Sequence, residues 1–364
     1  MSVELDQNQQ VMSQGRLIWR DFRKHRLAMV VLVVLIIMYG MAIFADFLSP
    51  YDPNQRHSSL INLPPQRIHL RDEEGWHGPF VYGINRVRDP QTFEMSFAVN
   101  KNQRHPVQFF VRGYSYKLFG LFETDIHLFG VKDGTLFIFG SDHLGRDLFS
   151  RILIGTRLSL SIGLIGVFLS LVLGVLIGGI SGLIGGTVDN VIQRIIEFLL
   201  SLPTIPVWMA LASALPGDWS ITKVYFAITV ILSLTTWTSM ARVIRGRVLQ
   251  LREEDFIMAA EAFGANSWFI IVRHLIPNCM SYILVNATLA IPGMILGETA
   301  LSFLGLGLRA PAVSWGVLLQ NSQNVRALAS YPWYFTPVVF VIITVLALNF
   351  VGDGLRDASD PYHG

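Results

Sequence analysis

The sequence predicts an all-α integral membrane protein of six spanning helices, with an insert containing short β-strands after the first of them. Three observations carry this. Of 364 residues, 52% are hydrophobic and 15% charged, whereas a soluble globular chain carries about 25% charged residues, so the apolar excess has to face lipid. Six stretches free of formal charge approach the roughly 20 residues that cross a bilayer core about 30 Å thick. They cover residues 27–45, 158–188, 198–217, 224–241, 275–297 (with an apolar continuation past Glu298) and 327–352. Between the first two lies a polar stretch that no single helix accounts for.

The elements follow in chain order. Residues 1–26 hold Arg16, Arg20, Arg23, Lys24 and Arg26 just ahead of the first span, and such juxtamembrane clusters are retained in the cytoplasm. The first helix, residues 27–48, has a longer apolar run than a secretory signal and no small-residue cleavage pattern close behind it, so it is expected to stay as an anchor. Alternating sides from there puts the insert, residues 49–157, outside the membrane, the loop 242–278 inside and the tail 353–364 inside. The inner loop agrees, since it carries Arg242, Arg245, Arg247, Arg252 and Arg273. In the insert, Asp133-Gly134 between apolar runs signals a tight hairpin. At its end, Leu144, Leu148, Ile152 and Leu153 share one helical face while Arg146, Asp147, Ser150 and Arg151 occupy the other. That pattern fits an interfacial helix; the other reading is that it extends the second span.

Residues 158–352 form the expected five-helix core. Ser170, Gly174, Gly178, Gly182 and Gly186 recur every four residues, a small-residue stripe that admits a close helix neighbour in this chain or in another. Membrane helices are rich in glycine, so background composition is the competing reading. Glu197, near the start of the third span, and Glu298, in the fifth, are ionisable where charge is costly. Both are candidates for the translocation pathway. The alternatives for Glu298 are contact with headgroups or a bond to a neighbouring helix. Pro203, Pro206 and Pro292 interrupt the third and fifth spans, as packing kinks or where freed carbonyls meet water.

No enzyme is indicated. The His residues form no H-E-x-x-H, no G-x-S-x-G elbow occurs, and no G-x-x-x-x-G-K-[ST] loop could cradle phosphates. The one cysteine, Cys279, excludes an internal disulfide framework or a thiolate metal cage. A net charge of +2 argues for no nucleic-acid partner.

The inner loop reads as helix, turn, helix. Glu253, Glu254 and Asp255 suit a helix start, Gly264 a left-handed stop, Asn266 or Ser267 a cap for the next helix, and Pro277 the first turn of the span after it. Ala259, Ala260 and Gly264 leave one face short enough to enter a partner's groove; lying on the inner membrane surface would serve the same sequence equally well. Here the chain resembles the permease subunits of binding-protein-dependent ABC importers, with Ala259-Ala260, Gly264 and Ile276-Pro277 in the signature places. Met258 stands where that family has Glu, and Ile276 where it has Leu. It is similar in particular to the C-type permease of the oligopeptide and dipeptide branch, through Gly140-Ser141-Asp142-His143-Leu144-Gly145-Arg146-Asp147, Arg273-His274-Leu275-Ile276-Pro277-Asn278, Ala300-Leu301-Ser302-Phe303-Leu304-Gly305-Leu306-Gly307 and Gly352-Asp353-Gly354-Leu355-Arg356-Asp357.

The resemblance implies the permease fold, a bacterial inner-membrane location and a multi-subunit complex. Its partners would be a homologous B-type permease, two ABC ATPase subunits and an extracytoplasmic substrate-binding protein. ATP and magnesium would be bound by the ATPases, so this chain would hold no cofactor or metal and would form half of the pathway for peptides. Oligosaccharides and metal chelates are the alternative cargoes. Ala259, Ala260, Glu261, Gly264 and Ala265 would form the ATPase-coupling surface. A self-contained channel or secondary transporter, the competing class, would not need that loop and would be expected to show inverted repeats.

Overall fold

The computed structural model describes residues 14–73, 75–88, 95–324 and 329–359. Residues 1–13 of the N-terminal segment, 327–328 at the start of the expected sixth span, and 360–364 of the tail lie outside the described residues. The chain begins with α1 (Gln14–Phe22), α2 (Arg26–Ile43) and α3 (Ala45–Leu48), followed by β1 (His69–Asp72), β2 (Gly75–Arg88), β3 (Met95–Leu118) and β4 (Phe122–Val131). The helices α4 (Leu148–Ile184), α5 (Gly186–Ser201), α6 (Thr204–Ser213), α7 (Ile221–Leu251) and α8 (Asp255–Ala262) come next. The chain closes with α9 (Ser267–Phe303), α10 (Trp315–Gln320) and α11 (Pro332–Ser359).

Among the described residues five helices, α2, α4, α7, α9 and α11, are long and apolar enough to cross a membrane, and the pair α5 and α6 makes a sixth if counted as one span. That pair bends by 87°. Pro203 caps the start of α6, and Leu202 before it is extended (ψ 136°), as the steric demand of a following proline requires. The expected third span is therefore a broken element.

Other boundaries differ from expectation as well. The second span stops at Ile184 because Gly185 and Gly186 both take positive φ (68° and 57°), where only glycine is unstrained. Leu148 through Ile184 is one helix of 37 residues, so residues 148–157 extend the second span and no separate interfacial helix ends the insert. The fifth span begins at Ser267, where Asn266 Oδ1 accepts from Phe269 N at 2.7 Å. Pro277 consequently falls inside a helix, and the turn Ile271–Leu275 ahead of it widens to π geometry, Ile276 N donating to Ile271 O. Widening relieves the clash that a proline imposes on the carbonyl four residues back. The last span starts at Pro332, in the first turn where a missing N–H costs nothing, and continues past Gly352 to Ser359.

The chain divides into two compact units, Met1–Ile36 with Ile162–Glu298 and Ile343–Gly364, and Ile37–Ser161 with Thr299–Ile342. In the first, Val175, Met240, Ile244, Val248, Ile257, Ile270, Ile271 and Leu275 form one buried cluster. In the second, the insert is an antiparallel sheet in the order β1-β2-β3-β4. β3 has 24 residues and β2 has 14, so these strands are long. The part of β3 up to Pro106 pairs with β2, and the part from Val107 pairs with β4, Leu118 meeting Phe122. The β3–β4 turn is Phe119-Gly120-Leu121; Asp133-Gly134 follows β4 and leaves the sheet, contrary to the hairpin expected there.

Candidate coupling and translocation elements

The loop 242–278 begins as the end of α7. Helix α8 is held by Ile257, which is wholly buried among Ile270, Ile271 and Leu275. Gly264 takes φ 78°, and Ala265 N donates to Ala260 O at 3.0 Å, closing the left-handed stop. This geometry splits the expected small-residue face. Ala259 and Gly264 are exposed, whereas Ala260 and Ala265 pack against the buried cluster. Glu261 has its backbone in α8, and its side chain lies outside the described set. What the sequence reading missed is the aromatic character of the outward surface: Phe263 is 91% exposed, with Met258, Trp268 and Phe269 each about half exposed. The available signal was a large apolar side chain next to the helix-stopping glycine.

The small-residue stripe faces α7. A Cβ at Gly174 would meet the Met240 side chain, one at Gly178 the Ala241 carbonyl, and one at Gly182 the Val248 side chain and the Arg245 carbonyl. Ser170 Oγ donates to Ser233 O at 3.3 Å, and Ser233 Oγ to Gly166 O at 3.0 Å. The neighbour is thus the fourth span of the same chain. Gly186 is no part of the seam: it starts α5, and nothing lies within 4 Å of its would-be Cβ.

Beside this seam Arg245 clamps Asp189 with two bonds of 2.5 Å, while Ser181 Oγ donates to the same carboxylate at 2.5 Å. A bidentate guanidinium–carboxylate pair of this kind is directional as well as attractive, and it fixes α5 against α4 and α7. The sequence offered both charges but no means of pairing residues 56 positions apart.

The two candidate pathway carboxylates fall in opposite settings. Glu298 is fully buried, which removes the headgroup reading and leaves it within packed protein. Glu197 lies on the exposed side of α5, its carboxylate 2.8 Å from Arg194 Nη1 one turn earlier. They share no site. Glu298 follows Gly297, whose close neighbours are Trp208 of α6 and Leu232 of α7.

The segment 140–147 is a buried polar knot. Asp142 Oδ1 accepts from Leu144 N (2.9 Å) and Arg146 N (3.0 Å), and its Oδ2 from Arg146 Nε (2.7 Å). Arg151 sits 3.8 Å from the same oxygen and donates to Pro53 O at 2.7 Å. Ser141 Oγ accepts from Leu63 N (2.8 Å) and donates to Leu60 O. Trp333 Nε1 donates to Ser141 O at 3.0 Å, and Tyr334 OH to Asn62 Oδ1 at 2.6 Å. Asp147 caps α4 through Ser150 N at 2.8 Å, and complete burial pushes its carboxyl up to about 6. Burial also lowers the His143 imidazole. Among the described residues no group of three His, Cys, Asp or Glu could hold a metal.

The hydrophobic spans and the close helix seam mark a multi-pass integral membrane protein. Residues 137–362 match the family described as "Binding-protein-dependent transport system inner membrane component", and the chain belongs to it. Residues 13–65 match the "N-terminal TM domain of oligopeptide transport permease C", placing it among the C-type permeases of the peptide branch. It is 32% identical over 349 residues to the oligopeptide transport system permease protein OppC of Bacillus subtilis, covering 94% of this chain and 90% of that one. It is 33% identical over 346 residues to the dipeptide transport system permease protein DppC of the same organism, covering 94% and 84%. The oligopeptide transport system permease protein OppC of Haemophilus influenzae is 41% identical over 224 residues, covering 61% of this chain and 70% of its own.

Proposed function

We propose that this permease forms half of the pathway of an ATP-driven peptide importer, with both termini in the cytoplasm of a bacterial inner membrane. Its partners are a homologous B-type permease, two cytosolic ABC ATPases and an extracytoplasmic binding protein. The ATPases bind ATP and magnesium, and this chain holds no cofactor. The peptide cargo is supported by the named activities of the relatives that match nearly the whole chain.

The observation that carries the coupling assignment is α8: anchored by one buried isoleucine, it presents Ala259, Phe263 and Gly264 outward. An aromatic side chain left 91% exposed is a surface that awaits a partner. ATP-driven closure pushes on α8, and the seam between α4 and α7 transmits the push as a rigid pair. The two states differ in which side of the pathway is open, so transport follows from differential binding and not from covalent catalysis.

In the reconstituted complex, a cysteine replacing Ala259 should crosslink to the ATPase, and Phe263→Ala should lower ATP-driven peptide uptake while the chain still inserts. Full uptake with no crosslink would sink the coupling assignment. Substituting Ala260 is a poorer probe, because bulk there also enters the buried cluster. Transport of oligosaccharides or metal chelates with no response to peptides would replace the cargo.

A further inference from the structure

The tip of the β3–β4 hairpin is apolar and open. Phe119 is 57% exposed, Leu121 77% and Phe122 67%, and charge returns only at Lys117 and Glu123 on either flank. A water-facing turn is ordinarily built from Gly, Asn, Asp and Ser. Phe119 moreover takes φ 54°, a backbone that a bulky residue adopts only where the surroundings hold it.

The hairpin's height relative to the bilayer is set by contacts to the first span. Helix α2 ends at Ile43, and the Phe44 ring meets the Phe119 ring edge-on at 5.6 Å. Below the tip, His127 is buried with Nδ1 2.9 Å from the Asp46 carbonyl oxygen. The second span marks the same level. Arg157, the last charge before its apolar run, donates to Ala42 O at 2.9 Å and pairs with Asp46 at 2.8 Å. The charge-free stretches of both spans therefore end at the Asp46–Arg157 pair, and the hairpin tip meets Phe44 just inside it. Ile43 and Phe44 are themselves exposed, and the Phe44–Phe119 contact joins them to the exposed apolar residues of the tip.

We infer that the β3–β4 tip, through Phe119, Leu121 and Phe122, is seated in the lipid bilayer at the headgroup–acyl boundary beside the first span. Large apolar side chains reach such a boundary at a depth of about 5–10 Å, and continuity with a lipid-facing helix selects lipid over a protein partner as the occupant. The insert is thereby tied to the membrane at a second point, independently of what the permease carries.

The test uses the full-length chain carrying Cys279→Ala, with an environment-sensitive fluorophore on a cysteine replacing Leu121. It is reconstituted in phosphatidylethanolamine–phosphatidylglycerol vesicles, with and without lipid brominated near the top of the acyl chain. A probe replacing Phe168, 63% exposed on the second span, reports that the chain has inserted, and one replacing Lys132 reports the aqueous baseline. The Leu121 probe is expected to be blue-shifted and to lose most of its emission to the brominated lipid, as the Phe168 probe does. Quenching equal to that at Lys132 would overturn the inference. So would a blue shift at Leu121 that appears only when the binding protein is added, which would make the tip a protein-docking surface. A Phe122 probe repeats the measurement should the Leu121 variant insert poorly.

Discussion

The two ends of α4 are held by opposite means. Near residues 142–151 the helix starts in a knot of two carboxylates and two guanidiniums, where almost every polar atom has a named partner. Along residues 170–182 it packs on α7 through glycines, whose missing side chains let the Met240 and Val248 side chains and the Ala241 backbone approach closely. The first arrangement fails when a partner is removed; the second fails when an atom is added. The knot also responds to pH, since burial holds Asp147 well above the ordinary carboxylate range, whereas the glycine seam carries no titratable group of its own. Charge sits where several loops must be brought to one point. Glycine sits where two long helices have to run in contact.

The largest break in this comparison is Asp142→Ala. It would leave Arg146 and Arg151 buried beside an apolar void, and removing one partner of a buried pair costs about 3–5 kcal/mol. Thermal unfolding of the purified chain in detergent should show a correspondingly large drop. A loss under about 1 kcal/mol, the scale of an exposed pair, would mean that the knot is solvated.

Asp147 gives the next effect. With a folded value of about 6 against about 3.9 for the unfolded chain, the native state holds the proton more tightly. The sign follows: this contribution is fully present below about pH 4 and is lost as pH rises through 6, a swing of about 2–3 kcal/mol. Asp147→Asn keeps a capping side chain and removes the titration. Stability of the two proteins, measured across that window, should converge at low pH and separate above it in favour of Asn. Parallel curves would remove Asp147 as the source.

The seam is probed more gently. Gly178→Ala would drive a methyl into the Ala241 backbone, and overpacking of this kind costs about 1–3 kcal/mol. Gly246→Ala, also helical but with nothing within 4 Å, is the matched control and should stabilise by roughly 0.5–1 kcal/mol. Equal effects at the two positions, read from the same melting curves, would reduce the stripe to background composition.

How much of this was legible beforehand differs by region. The spans showed themselves because charge is excluded from lipid, and several of their ends were displaced where local chemistry intervened: a glycine pair after Ile184, a proline at 203, and an asparagine cap at 266. The loop 242–278 was legible as helix, stop and cap, yet not which alanine faces outward, because that depends on Ile257 finding the buried cluster. The motif at 140–147 was readable as a signature but not as a knot, since its partners, Pro53, Leu60, Asn62 and Trp333, come from two distant stretches of chain.

Sequence alone thus determined the membrane class, the spans and the small-residue stripe, because each is a local or periodic property of the residues themselves. Tertiary structure decided the pairings: which helix the stripe meets, that Asp189 belongs to Arg245, that Glu298 is enclosed while Glu197 is open, and that an apolar hairpin tip rests beside the first span. The physical reason is that burial and hydrogen-bond partnership are properties of neighbours in space, and only the folded chain brings those neighbours together.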